Sequence, residues 1–586
     1  MNKKKMMILF SATTALTLAA CGGNNSSSAT TSTEAGTAKT KYASEVTHEG
    51  TPIKGGTLKY AIVSSSPFSG IFADELSQVT TDSTIGGLID ESMFEYDENR
   101  KLTNTGLASI EFDVENKTAT VTLNSKEYKW SDGQPVTIDD YIFAYQAIGN
   151  KDYTGVRYDG DFKNVVGMEE YHNGKADSVS GLEKVDDYTV KIHFKEMSPS
   201  MQLAGGSVSA YIMPKHIFKD IPEAEWEQSD YVRSKKFVGL GQFKIDSIVA
   251  GESVTLVPNE HYYKGVAKVD KVVMEVVSPD NIVSEMKAGN YDIATMPNAQ
   301  YEAYKDLTNV TFLSSQESAY EYIGFHLGKY DTAAGKNVTD PNAKMSDANL
   351  RQAMAYALDV EAAGQNLYNG LQHATNSIII PFFKDVYNKD QEGFTYNPEK
   401  AKQLLDEAGY KDVDGDGFVE RPDGSKIDLT FVIYTSRSEL GIYAQALQAD
   451  MKKIGIKVTL KPVSYETVLS MRDDSNFDML IWNVLAANTG DPEKYLHENW
   501  YSKAETNKTG YSNPEVDKML DELSKEFDKA KRKDLVVKIQ QLIMNDAATL
   551  FFGYETTFLY SNKAVTGLKM YPMDYYWITK DVAKAN

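Results

Sequence analysis

A single cysteine, Cys21, stands in 586 residues, and no other feature restricts the fold as much. One thiol cannot close a disulfide within the chain, so no loop is stapled covalently and stability has to come from buried apolar area. A chain this long can bury enough, because the buried fraction of surface rises with size; the same length predicts more than one domain. The formal net charge of −22 predicts repulsion from nucleic acid and from anionic lipid headgroups, which leaves nucleic acid out as a partner.

The position of that cysteine is as informative as its solitude. Lys3, Lys4 and Lys5 precede an apolar run from Met6 to Ala20, the pattern of a secretory signal peptide over residues 1–20. The run is too short to remain as a spanning helix, which needs about 20 apolar residues. Leu18-Ala19-Ala20-Cys21 resembles the bacterial lipobox, in which cleavage before the cysteine leaves a lipid on its sulfur and amine, so Cys21 is the expected lipidation site. Two acyl chains on one residue suffice for stable anchoring where one is marginal. Residues 21–50, rich in Ser, Thr, Ala, Asn and Gly, read as a flexible tether. No second apolar run of transmembrane length follows, and the exported body retains no thiol for catalysis.

From Lys54 onward the pattern is α/β. Period-two alternation predicts strands at Gly56 to Val63, at Thr118 to Leu123, and through Tyr188, Val190, Ile192 and Phe194. Asn397-Pro398 and Asn513-Pro514 each place a cap before a proline suited to the first helical position; Ala401, Leu404, Leu405 and Ala408 make the first apolar stripe, and Val516, Met519, Leu520 and Leu523 the second. Thr137 and Asp140 are spaced as a capping box. No repeat of fixed period is present.

Catalytic signatures fail on inspection. His497-Glu498-Asn499-Trp500-Tyr501 lacks the second imidazole of a zinc-protease helix, and Gly239-Leu240-Gly241 lacks the third glycine of a dinucleotide fingerprint. Neither a nucleophile elbow nor a P-loop occurs, and the eight histidines are scattered. The chain therefore reads as a non-enzyme. One loop has the spacing of a calcium site: Asp412, Asp414, Asp416, Phe418 and Glu420 occupy positions one, three, five, seven and nine of an EF-hand-like run. Asp423 at position twelve is short for a bidentate ligand, and Arg421, Pro422 and Gly424 break the exit helix, so a plain acidic turn competes with calcium as the reading. Tyr (36) outnumbers Phe (23), which suits the walls of a wet cleft, although packing in domain cores accounts for any single tyrosine.

Several segments together resemble the solute-binding proteins of peptide ABC importers, and most closely the oligopeptide-binding lipoproteins of Gram-positive bacteria. Trp130 to Asp140 (WSDGQPVTIDD) is similar to the W-S-D-G-x-P-V-T-x-D-D signature; Phe237 to Phe243 is similar to F-V-G-T-G-P-F, departing at Leu240 and Gln242. Asn259 to Gly265, Tyr171 to Ala176, Leu350 to Asp359 and Asn397 to Tyr410 add to the likeness, which runs from about Lys54 to the C-terminus.

The resemblance implies a two-lobed clamshell of the type II periplasmic-binding-protein kind with an extra domain, mixed sheets and flanking helices. Lobe I would comprise 51–90, 211–313 and 541–586, the additional domain 91–210 and lobe II 314–540, with two connecting segments as the hinge. The cargo would be an oligopeptide held in the cleft by its backbone and passed to ABC permease subunits by a monomeric receptor on the outer face of the cytoplasmic membrane. Residues carried over to the site are Val63, Ser64, Ser65 and Ser66 at the exit of the first strand, Tyr322 and Phe325 at the start of lobe II, and Trp482, Asn483 and Val484 on the strand that ends in tryptophan. A core anchor is the competing reading for Trp482. Relatives that take short peptides place an Asp just after this Trp to hold the ligand amine; here the next acid is Asp491, which implies longer peptides with permissive ends. A same-fold receptor for a pheromone, nickel chelate or sugar is the second reading, and an extracytoplasmic hydrolase or adhesin the third.

Overall fold

The computed structural model describes residues 51–585 apart from 98, 205–207, 317–318, 376, 389, 436–437, 486–489 and 570–580. The expected signal segment, Cys21 and the tether lie outside the described residues.

Local signals form what they predict. Strands cover Thr57–Val63, Thr118–Leu123 and Thr189–His193. Asn397 accepts from the Lys400 N–H at 3.0 Å to open the helix Pro398–Glu407, which buries Ala401 and Leu405. Asn513 accepts from the Glu515 N–H at 2.9 Å, and the helix Pro514–Leu523 buries Val516, Leu520 and Leu523.

The WSDG segment is an internal joint. Trp130 is fully buried, and its indole N–H donates to Asp140 Oδ2 at 3.4 Å. That oxygen also accepts from the Thr137 N–H at 2.9 Å, completing the capping box of helix α1 (Ile138–Gly149). The other Asp140 oxygen accepts from the Lys215 N–H at 3.0 Å, tying the helix start to a segment 75 residues on.

Among the described residues the largest sheet has twelve strands: β1 (Thr57–Val63), β2 (Phe243–Val249), β3 (Ser253–Pro258), β4 (Lys271–Val277), β5 (Ile293–Met296), β6 (Val310–Gln316), β7 (Ala319–Phe325), β8 (Gln372–His373), β9 (Leu429–Tyr434), β10 (Val458–Val463), β11 (Met479–Leu485) and β12 (Thr549–Asn562). Its order is β10-β9-β11-β7-β12-β5-β1-β4-β3-β2, with β6 and β8 also on β12. A separate four-stranded antiparallel sheet joins Ala108–Asp113, Thr118–Leu123, Thr189–His193 and Leu182–Asp186.

This order divides at β12. Its first part pairs with β7, from Thr549↔Gly324 to Gly553↔Glu321, and its last part pairs with β5 and β6, from Phe558↔Met296 to Ser561↔Ile293 on the β5 side. A register shift between Glu321 and Tyr322 marks the change, where an extra residue bends the strand. The chain crosses the same boundary at β6 to β7, so two antiparallel crossings join the halves.

Apolar packing follows the same division. One core gathers residues from Tyr320 to Leu550, a second surrounds β1 to β5, and a third, built on the four-stranded sheet and α1, runs from Met93 to Leu240. A small fourth core holds Ala61, Ile282, Tyr304 and Tyr560. Residue 541 falls within helix Lys529–Asn545, whose Ile543 and Met544 pack in the first of these cores, as do Ala548 and Leu550 beyond it. The fold is thus a two-lobed α/β clamshell with mixed sheets and flanking helices.

Candidate functional site

Two strand ends approach the crossing from opposite sides. β1 runs parallel to β5 with Tyr60↔Ile293 and Ala61↔Ala294, and that register continues to put Val63 level with Met296, which pairs with Phe558 of β12. From the other half, Trp482 pairs with Tyr322, Asn483 with Glu321 and Val484 with Tyr320, while Glu321 pairs with Gly553 of β12. The carboxyl ends of β1 and β11 therefore flank one short stretch of β12. Crevices outside strand ends, where strand order reverses, are where open α/β sheets take ligands.

After Val63 the chain turns tightly. The Ser64 N–H donates to Val277 O at 3.0 Å, Ser64 Oγ donates to Ser66 O at 2.8 Å, and the Ser66 N–H donates back to Ser64 Oγ at 3.0 Å. Ser65 and Ser66 are exposed.

Tyr322 and Trp482, facing partners across β7 and β11, line one recess of about 60 Å³ with Arg472, Asn499 and Thr509. The Arg472 guanidinium sits 4.5 Å from the Trp482 ring centroid, and Tyr465 lies parallel to that ring at 6.1 Å. A planar cation over an indole is a favourable contact of about 0.5–2 kcal/mol. Trp482 is half-buried at this edge, packed against the core while one face meets Arg472. Arg472 and Tyr465 escaped the sequence reading because they precede the tryptophan by 10 and 17 residues on another element, and only the pairing of β11 brings them to it.

Two other expected site residues are placed elsewhere. Phe325 is fully buried in the same core, so its ring fills space between sheet and helices. Asp491 is 8 % exposed, and Arg532 Nη2 donates to both its oxygens, at 2.9 and 3.0 Å, and to Glu493 Oε2 at 3.0 Å. Asp491 Oδ1 also accepts from the Glu493 N–H at 3.0 Å, at the start of helix α2 (Glu493–Trp500). Its carboxylate is committed to holding that helix in place.

The acidic loop has the spacing of a cation site and a cation of its own. Oxygens of Asp412, Asp414 and Glu420 lie within 4.8 Å of one another. Lys426 Nζ stands 2.6 Å from Asp414, 2.7 Å from Asp416 and 3.8 Å from Glu420, and the hydrogen bonds it donates to Asp414 and Asp416 hold the ammonium above its ordinary range. Asp412 accepts the Gly415 and Gly417 N–H groups at 2.7 and 3.0 Å, and Glu420 accepts from Val413 at 3.0 Å. The donor set suits calcium in chemistry, but the lysine ammonium supplies the positive charge. His497, in the segment that resembles a zinc helix, makes hydrogen-bond contacts with the Glu493 carbonyl at 3.0 Å and Ser524 Oγ at 3.2 Å.

The family model of the bacterial extracellular solute-binding proteins, family 5, matches residues 104–507, well over half of the chain. The chain is a family 5 solute-binding protein. Such proteins are receptors rather than enzymes, and their family is extracytoplasmic. This family 5 protein is 32 % identical over 525 residues to the oligopeptide-binding protein OppA of Lactococcus lactis subsp. cremoris, with 86 % of each chain covered. It is 26 % identical over 468 residues to the oligopeptide-binding protein AppA of Bacillus subtilis, covering 78 % of this chain and 80 % of that one. A solved structure of lactococcal OppA, complexed with an endogenous peptide in the closed conformation, superposes with a TM-score of 0.80 at 29 % identity over 90 % of this chain and all of that chain.

Proposed function

We propose that this protein is a lipid-anchored receptor that captures oligopeptides between its two lobes and delivers them to an ABC permease at the outer face of the cytoplasmic membrane. The observation that carries this reading is the approach of the β1 and β11 strand ends to one stretch of β12, in a chain whose relatives OppA and AppA are named for binding oligopeptides. Strand ends offer backbone N–H and C=O groups, and an extended peptide offers the same groups whatever its sequence. Val63 to Ser66 and Trp482 to Val484 are the segments proposed to pair with it, with Tyr322 beneath. Side chains then need only roomy, hydrated pockets, where bridging waters replace tailored contacts.

The proposed division is lobe I at 51–90, 211–313 and 541–586, with the stretch 541–550 given instead to lobe II because Ile543, Met544, Ala548 and Leu550 pack in the β7 core, the additional domain at 91–210 and lobe II at 314–540, with the crossing at β12 as one hinge strand. Lipidation at Cys21 after removal of 1–20 holds the body through the 21–50 tether, and the receptor acts as a monomer. Asp491, bound by Arg532, leaves the segment after Trp482 without a spare carboxylate for a ligand amine, which favours longer peptides with permissive ends.

Native mass spectrometry of protein purified from cells should show a heterogeneous series of peptide masses. A single small-molecule mass would replace the peptide reading with another cargo. Calorimetry with peptides of graded length, free and N-acetylated, should show little effect of acetylation; strong preference for free-amine di- or tripeptides would remove the permissive-end proposal. Mass spectrometry of the mature N-terminus tests the lipid.

A further inference from the structure

Away from the crossing strands, the body built on the four-stranded sheet touches the body around β7, β9 and β11 at a second place. Lys494 of α2, whose helix packs its Tyr495, Leu496 and Trp500 in the β7 core, forms an ion pair with Asp161. Asp161 lies in the short helix Gly160–Lys163, whose Phe162 is buried in the four-stranded body. Asp159 and Glu498 stand 3.7 and 3.9 Å from the same ammonium.

Close by in sequence, Gly490 meets the tip formed by Asn99 and Arg100. A Cβ at position 490 would lie 2.7 Å from Arg100 O and 2.9 Å from Asn99 O, closer than any side chain allows. The tip is shaped by its own hydrogen bonds, with Asp97 Oδ1 accepting from the Asn99 and Lys101 N–H groups at 2.8 Å each. Lys384 Nζ reaches Asn99 Oδ1 at 3.4 Å, and Lys101 stands 3.6 Å from Asp385.

We infer that this second contact is a latch: the approach of Asn99 and Arg100 to Gly490, with the Lys494–Asp161 bridge beside it, holds the two bodies together when the cleft is shut. Its make-up is what a reversible contact requires. The touching groups are ions, amides and bare backbone, and none of these residues belongs to the apolar cores on either side. Small polar interfaces between domains permit relative motion, whereas shared apolar cores forbid it. Separation strips Asp159 and Asp161 of the Lys494 ammonium, so the shut state is favoured by charge. The inference rests on the capture reading only in requiring that the bodies open and close.

Cys21 being the sole native thiol makes the test direct. In a Cys21→Ser background, spin labels at cysteines replacing Val185 and Ile442, both exposed and one on each body, report the separation of the bodies by pulsed electron resonance with no ligand added. The ratio of shut to open molecules should fall roughly threefold to tenfold in Lys494→Met and in Gly490→Val, the range that one partly buried ion pair or one steric block supports. The charge swap Lys494→Asp with Asp161→Lys should recover most of it, and circular dichroism melts verify that each variant is folded. Unchanged distance distributions in both folded single variants, or a swap no better than Lys494→Asp alone, would overturn the latch. Loss of peptide binding with normal closure would instead count against the capture reading.

Discussion

Asp491, Glu493 and Arg532 show how one residue's surroundings decide its role. Two carboxylates share one guanidinium in a site where side-chain exposure is 5–11 %. Burial pushes the Glu493 carboxyl up to about 7, with Arg532 opposing and Asp491 adding to the rise. The folded state therefore holds the Glu493 proton more tightly than the unfolded chain, whose ordinary value is 4.5, and stability falls as pH rises between those two values. Glu493→Gln keeps an acceptor for Arg532 and drops the excess charge, so its melting temperature should change less with pH over that window and should match or exceed wild type at pH 8. An identical pH slope in the two proteins would place the effect elsewhere. Arg532→Met leaves the two acids facing each other and should cost about 3–5 kcal/mol in denaturant titrations. The acid at 491 was legible as the first carboxylate after Trp482; its partner, 41 residues away, was not.

Elements carry the next layer. Asp140 was readable as the third position of a capping box, yet beyond the Thr137 bond the structure gives it two further duties: it accepts from the Trp130 indole, and it accepts from the Lys215 N–H and so joins α1 to a distant segment. Asp140→Ala should therefore cost about 2–4 kcal/mol in chemical unfolding, above the ~1 kcal/mol usual for a cap alone. The 412–420 loop teaches the converse. Its spacing spells a cation site, and Lys426 fills the need from outside the spaced residues. Addition of about 1 mM calcium should leave the wild-type melting temperature unchanged, while Lys426→Met should acquire a calcium-dependent rise. A rise in wild type would mean that calcium displaces the ammonium.

At the scale of the whole molecule, β12 is the part both halves share. Gly553 adopts φ 135°, and a Cβ there would meet His373 O at 2.3 Å, so the strand passes the β7 and β8 side only because this position is bare. Gly553→Ala should lower stability by roughly 2 kcal/mol or more and broaden the distance distribution between the labelled bodies, checked by thermal melts and the same spin-label pair. A stable variant with an unaltered distribution would show that the crossing tolerates the added methyl by a local shift.

By itself the sequence determined what depends on neighbours along the chain: the period of each strand, the capped ends of the helices at Ile138, Pro398 and Pro514, the α/β class and the absence of covalent staples. The resemblance of segments such as Trp130 to Asp140 to the family's motifs extended that to a clamshell. Only the tertiary structure decided which strand ends converge on β12, that Phe325 and Asp491 serve the core, that Arg472 covers Trp482, and that Lys494 reaches Asp161. The reason is physical: hydrogen bonds in helices and caps join residues a few positions apart, whereas sheet order, ion pairs and cleft walls join residues tens to hundreds apart, and their partners are chosen by the packing of the whole chain.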